Sequence, residues 1–88
     1  MWIQQRKYKI VGRVLKAVRE AASLTQATLA ERLSKPQSFV SSYEAGQRRI
    51  DVLELQRVAE AVGLDPVKLY SRILTEFHSK PAASKNSG

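Results

Sequence analysis

Gln37, Ser38, Ser41 and Ser42 recur at the spacing of one helical face within the stretch KPQSFVSSYEAGQRR, opposite Val40 and Tyr43. Hydroxyl and amide groups can both donate and accept hydrogen bonds. Serine is a mediocre helix former, because its hydroxyl competes for backbone partners. A face that met only water would gain more from Glu, Lys or Arg. Short, uncharged polar groups therefore suit a partner that offers hydrogen-bonding edges at close range. Lys35 precedes this face and Arg48 and Arg49 follow it, which places positive charge at both ends.

The charge of the chain is gathered around the same stretch. Residues 1–49 carry ten Lys or Arg against three Asp or Glu, whereas residues 50–88 carry five of each, so the net charge of +7 lies in the first part. Such an excess points to a polyanionic partner: DNA, RNA or an anionic membrane. The 88 residues suffice for one small domain, and a hydrophobic content of 43% supports a folded core. There is no cysteine, which excludes disulfides and zinc–thiolate centres and fits a reducing compartment. No apolar run reaches the length of a membrane span. The opening MWIQQRKYKIVGR lacks the continuous apolar block of a secretory leader. The expectation is a cytoplasmic protein with no membrane partner.

Catalysis finds little support. His78 is the only histidine; it borders the tail and has no obvious acid or base partner near it in sequence. The acidic residues are mostly accounted for as helix caps (Asp51, Asp65) or helix-surface charges (Glu20, Glu31, Glu60). No phosphate-binding glycine loop, metal-ligand cluster or nucleophile motif is present. Catalytic sites need several convergent groups, so the expectation is a non-enzyme with no metal, cofactor or small-molecule ligand.

Five helical segments would position the polar face. The first runs from about Tyr8 to Ala22, with Val11, Leu15, Val18 and Ala22 on one side. Thr25 is a fitting N-cap for a second, which turns Leu29, Ala30 and Leu33 inward. Ser34, Lys35 and Pro36 form a tight connection to a third, Gln37 to Ala45, closed by Gly46 in the left-handed position. Asp51 and Glu54 have the spacing of a capping box that opens a fourth, with Leu55, Val58, Ala59 and Val62 apolar and Gly63 at its end. Asp65 and Pro66 start a fifth, which carries Leu69, Tyr70, Ile73, Leu74 and Phe77. No strand signal survives. The chain reads as an all-α domain over residues 8–78, with a basic N-terminal arm (1–7) and a polar, disordered tail (79–88). Trp2 and Ile3 are either exposed on that arm or folded back onto the core.

A short helix, a three-residue turn and a second short helix make a helix-turn-helix, whose second helix can enter the DNA major groove. The stretch LTQATLAERLSKPQSFVSSYEAGQRR resembles the phage Cro and repressor type of helix-turn-helix domain, the XRE family, and the resemblance continues through VLELQRVAEAVGLDPVKLY. The pattern of TQ, then LA four residues on, then a closing YE-x-G carries it.

The resemblance implies a lambda-repressor-like fold and particular roles. Gln26 would hold a backbone phosphate at the start of the second helix. Leu29, Leu33, Val40 and Tyr43 would pack the two helices together, with Ala30 small where they cross. Gln37, Ser38, Ser41 and Ser42 would face base edges, and Lys35, Arg48 and Arg49 would meet phosphates or a minor groove. Arg19 and Glu44 match a pair that forms an ion pair in some relatives. Two departures stand out. Ser34 occupies a turn position where the family often has glycine. Ser41 and Ser42 replace longer reading side chains, which leaves Gln37 as the one obvious bidentate match, to adenine, and gives DNA shape and water a larger share of specificity.

The expected function is a sequence-specific transcriptional regulator, a repressor or the controller protein of a restriction-modification system or prophage. It would bind a near-palindromic operator as a homodimer and be regulated by its own concentration. Dimerisation is expected through Tyr70, Leu74 and Phe77, an apolar strip left over once Leu69 and Ile73 enter the core. The alternative is an antitoxin or protein-interaction adaptor with the same fold. An adaptor would not need so concentrated a basic charge, and an antitoxin would need a longer partner-binding tail. RNA binding is disfavoured, because A-form major grooves exclude helices and no aromatic stacking platform is evident.

Overall fold

Gln4, Gln5, Arg6 and Lys7 are good helix formers with neither glycine nor proline among them. In the computed structural model, which describes residues 2–79 with side chains from Gln5 onward, they belong to a helix α1 that spans Trp2–Ala21. The segment expected as an arm is therefore the opening of α1, since basic charge alone does not stop a helix. The side chains of Trp2 and Ile3, and all of the tail expected at residues 79–88 except Ser79, lie outside the described residues.

Four further helices follow, α2 (Gln26–Leu33), α3 (Gln37–Glu44), α4 (Val52–Val62) and α5 (Pro66–His78), and the described residues hold no strand. Their starts are set by side chains. The Thr25 hydroxyl accepts the Thr28 N–H at 3.0 Å. Asp51 accepts the Glu54 N–H at 2.8 Å while Glu54 accepts the Asp51 N–H at 2.9 Å, a reciprocal capping box. Asp65 accepts the Val67 N–H at 2.8 Å, with Pro66 in the first turn. Helices α1 to α4 all end on a left-handed residue: Ser23 (φ 61°), Ser34 (φ 57°), Gly46 (φ 75°) and Gly63 (φ 80°). In each case the next N–H reaches back to a carbonyl of the last turn, at 2.8 to 3.2 Å. The left-handed form costs a serine roughly 1–2 kcal/mol; the hydrogen bonds it allows hold it at Ser23 and Ser34.

Helix α2 packs on α3 and α4, α1 packs on α3 and α5, and α4 packs on α5. The shared core holds Val14, Leu15, Val18, Leu29, Ala30, Leu33, Val40, Tyr43, Val58, Ala59, Leu69 and Ile73. Val40 and Tyr43 anchor the inner side of α3, so its other side faces out. Where α1 crosses the end of α3, Gly12 lies so close that an added β-carbon would stand 2.3 Å from the Glu44 carbonyl oxygen and 2.5 Å from that of Tyr43. Both obstacles are backbone and cannot rotate away. Gly12→Ala should therefore destabilise the fold by about 1–3 kcal/mol, even though alanine is the better helix former. A urea titration decides the sign: a stabilisation of up to about 1 kcal/mol would mean that the crossing is loose.

Candidate nucleic-acid interface

Helix α3 has eight residues, and a helix that short is marginal by itself in water. Its position comes from tertiary ties, the strongest at its last residue. Arg19 Nε donates to Glu44 Oε2 at 2.7 Å and Arg19 Nη2 donates to Glu44 Oε1 at 3.0 Å, a bidentate pair. The two residues are 7% and 8% exposed. The third arginine nitrogen, Nη1, donates to the Leu24 carbonyl at 2.7 Å. Hydrogen bonding to Glu44 holds the Arg19 pKa above its ordinary value, against the opposing effect of burial. One ion pair thus fastens the end of α1, the α1–α2 turn and the end of α3.

From Glu44 a line of amides leads outward. Gln26 Nε2 donates to Glu44 Oε1 at 2.9 Å, and Gln37 Nε2 donates to Gln26 Oε1 at 3.3 Å. The Gln26 amide, expected to face a phosphate, is turned inward because Glu44 Oε1 lies within its reach. What Gln26 keeps for an anion is its second amide hydrogen and the open N–H groups of the first turn of α2. Gln37 is exposed and uses only one of its amide hydrogens internally. Its oxygen and its other N–H, the two groups that a bidentate contact to adenine requires, remain available.

The rest of the outward face is short. Ser38 is exposed, and Ser41 and Ser42 are half-buried. The Ser41 hydroxyl donates to the Ser38 carbonyl at 3.3 Å, which leaves its oxygen free to accept. Pro36 at the N-cap gives α3 no side-chain cap, so the N–H groups of Gln37 and Ser38 stay open, while that of Phe39 donates to the Pro36 carbonyl at 3.0 Å.

The flanking cations gather on an aromatic residue that sequence reading did not single out. Lys35 Nζ lies 5.3 Å from the centroid of the Phe39 ring, and the Arg48 guanidinium carbon lies 4.6 Å from it. Phe39 in turn meets Tyr43 edge to face, with centroids 5.5 Å apart. Arg48 Nη1 also donates to the Arg49 carbonyl at 2.8 Å and to Glu54 Oε1 at 3.3 Å. The four-residue spacing of Lys35 and Phe39 was legible in the sequence, whereas the approach of Arg48 across a loop was not. Arg49 is exposed.

Away from the outward face of α3, Val52 is 77%, Tyr70 51% and Leu74 36% exposed. Phe77 is drawn further in: it packs against the core, and Lys7 Nζ lies 5.2 Å from its ring centroid. Tyr8, Val11, Val52, Leu55, Tyr70 and Phe77 line a shallow, mainly apolar groove between α1, α4 and α5. None of the helices among the described residues is long and apolar enough to cross a membrane.

This arrangement of α2, turn and α3 has relatives. The helix-turn-helix family (HTH_3) matches residues 15–69. An XRE-family-like protein from Pseudomonas syringae pv. tomato is similar over 83% of this chain and 89% of its own, at 40% identity and a TM-score of 0.73. The restriction-modification controller protein C.AhdI from Aeromonas hydrophila is 29% identical over 75% of this chain and 96% of its own, with a TM-score of 0.71. The clp gene regulator ClgR from C. glutamicum shares the fold at 20% identity and a TM-score of 0.73, over 80% of this chain and 90% of its own. No curated protein matches the chain. The chain belongs to the XRE-type helix-turn-helix family, a family of DNA-binding transcription regulators and not of enzymes.

The ion pair makes a prediction of its own. Removing one partner strands a buried charge, so Arg19→Met or Glu44→Leu alone should cost about 3–5 kcal/mol. The double variant should cost much less than the two losses added together. A double-mutant cycle by chemical denaturation measures this coupling; a value within the ~0.2–1 kcal/mol of exposed pairs would show that the pair does not fasten α3.

Proposed function

We propose that this regulator binds a near-palindromic operator as a homodimer, in the manner of a phage repressor or a restriction-modification controller protein. The observation that carries the reading is the outward side of α3. There Gln37, Ser38, Ser41 and Ser42 stand between the cations Lys35, Arg48 and Arg49, two of which rest on Phe39. A helix with that face fits the major groove, where hydroxyls and amides meet base edges and the flanking cations meet phosphates. Gln37 is the main reader and Gln26 its support, with the first turn of α2 directed at a phosphate. The likeness to C.AhdI favours the controller type.

Tyr70 and Leu74 form the exposed part of the proposed dimer surface, with Phe77 at its inner edge and Val52 beside it. Two-fold pairing there is isologous and presents two copies of α3 to one face of a duplex. Half-sites should then lie about 10–10.5 bp apart, or a multiple of that.

Titration with the DNA upstream of its own gene, against random competitor, tests the reading. Gln37→Ala should lower affinity for the cognate site by about 1–3 kcal/mol and relax preference at one base pair per half-site. Equal losses on cognate and random DNA would reduce Gln37 to a backbone contact. Sedimentation should find the wild type dimeric at micromolar concentrations and Leu74→Glu monomeric, with operator affinity falling in step. A wild type that stays monomeric and binds without cooperativity would overturn the dimer.

A further inference from the structure

Helix α1 extends about three turns on the N-terminal side of its crossing with α3 at Gly12. By their spacing, Gln5, Tyr8, Lys9 and Gly12 share one face of it. These opening turns overhang the loop that leaves α3, and an open groove of about 740 Å³ runs between them. Gln5, Tyr8 and Lys9 line one wall, and Gln47, Arg48 and Arg49 line the other. Three cations thus converge from two elements that are distant in sequence. Among the described residues no carboxylate lines the groove, and α1 carries no acidic residue before Glu20. Among the described residues, the carboxylate in contact with these cations is Glu54, at 3.3 Å from Arg48. Lys9 is also held in place: a β-carbon on Gly46 would stand 2.6 Å from Lys9 Cγ, so the lysine stem lies directly against the loop.

We propose that this groove seats the sugar–phosphate backbone of duplex DNA beside the major groove that α3 enters, which makes the opening turns of α1 a second DNA-contacting element with Lys9 as its principal phosphate ligand. The inference rests on the reading of α3 given above. The loop wall begins where α3 ends, so a strand bordering the major groove at α3 passes this way. Cations on both walls neutralise it, and the neutral donors Gln5, Tyr8 and Gln47 are of the kind that hydrogen-bond phosphate oxygens. An open groove accepts a continuing strand, whereas a small anion would need an enclosing pocket.

The test uses the full chain, its upstream duplex and a random duplex of equal length, over a series of salt concentrations. Lys9→Gln should weaken both complexes by the same factor and leave their ratio unchanged. The affinity lost between about 50 and about 200 mM salt should shrink by about 3.5-fold, the share of one phosphate contact. Gln5→Glu, which adds a negative charge to the groove and leaves the Lys9 stem in place, should also weaken both complexes equally. Gln37→Ala, measured in parallel, should change the ratio and leave the salt dependence as it was. If Lys9→Gln and Gln5→Glu both bind as the wild type does while Gln37→Ala alters the ratio, the groove is overturned and the reading of α3 stands. A wild type that binds neither duplex overturns both.

Discussion

The arrangement of this domain turns on the contact between Arg19 and Glu44. Both charges are nearly withdrawn from water, which is costly unless their remaining hydrogen-bonding groups are satisfied. They are: Arg19 takes up both Glu44 oxygens and the Leu24 carbonyl, and Gln26 adds a further bond to Glu44. An apolar pair of similar volume would often be as stable, but it could not hold the Gln26 amide or, through it, Gln37. The pair therefore does more than stabilise. It sets the end of α3 against α1 and passes that constraint to the side chain best suited to read a base. Gly12 belongs to the same constraint, because the pair can close only if the backbones of α1 and α3 come together.

Much of this was legible in the chain. Thr25, Asp51 and Asp65 announced helix starts, and Gly46, Gly63 and Ser34 announced helix ends, because capping is local chemistry with fixed offsets. The inner residues of α2 and α3 followed from periodicity for the same reason. What stayed hidden depended on contacts between distant segments. Nothing local to Gly12 shows that the carbonyls of Tyr43 and Glu44 lie against it. Ser23 gives no sign in sequence that it would adopt a left-handed turn. The opening of α1 has the charge of an arm and the composition of a helix, and its helix propensity decides its structure. The outward role expected of Gln26 follows from its place at a helix start, and no local rule reveals that Glu44 claims its amide.

The same ties bear on how the surface would engage a partner. Ordering a long side chain at an interface costs roughly 0.5–1.5 kcal/mol, and lysine and arginine have the most freedom to lose. Here several are already restrained. Lys35 and Arg48 rest on Phe39, Arg48 is also bonded to Glu54, and Lys9 lies along Gly46. The serines of α3 have little freedom to lose in the first place. A short helix of weak intrinsic stability is thus made into a firm surface by its surroundings: the ion pair fixes its end, the core fixes its inner side, and Phe39 gathers the charges beside it. Glu54 has a double part in this. It caps α4 and steadies Arg48, but its carboxylate also offsets some of the positive charge that a phosphate would meet. The restraint on Arg48 is therefore gained at the expense of some long-range attraction, which leaves Arg49 and Lys9, neither with a carboxylate in contact among the described residues, as the stronger sources of that field.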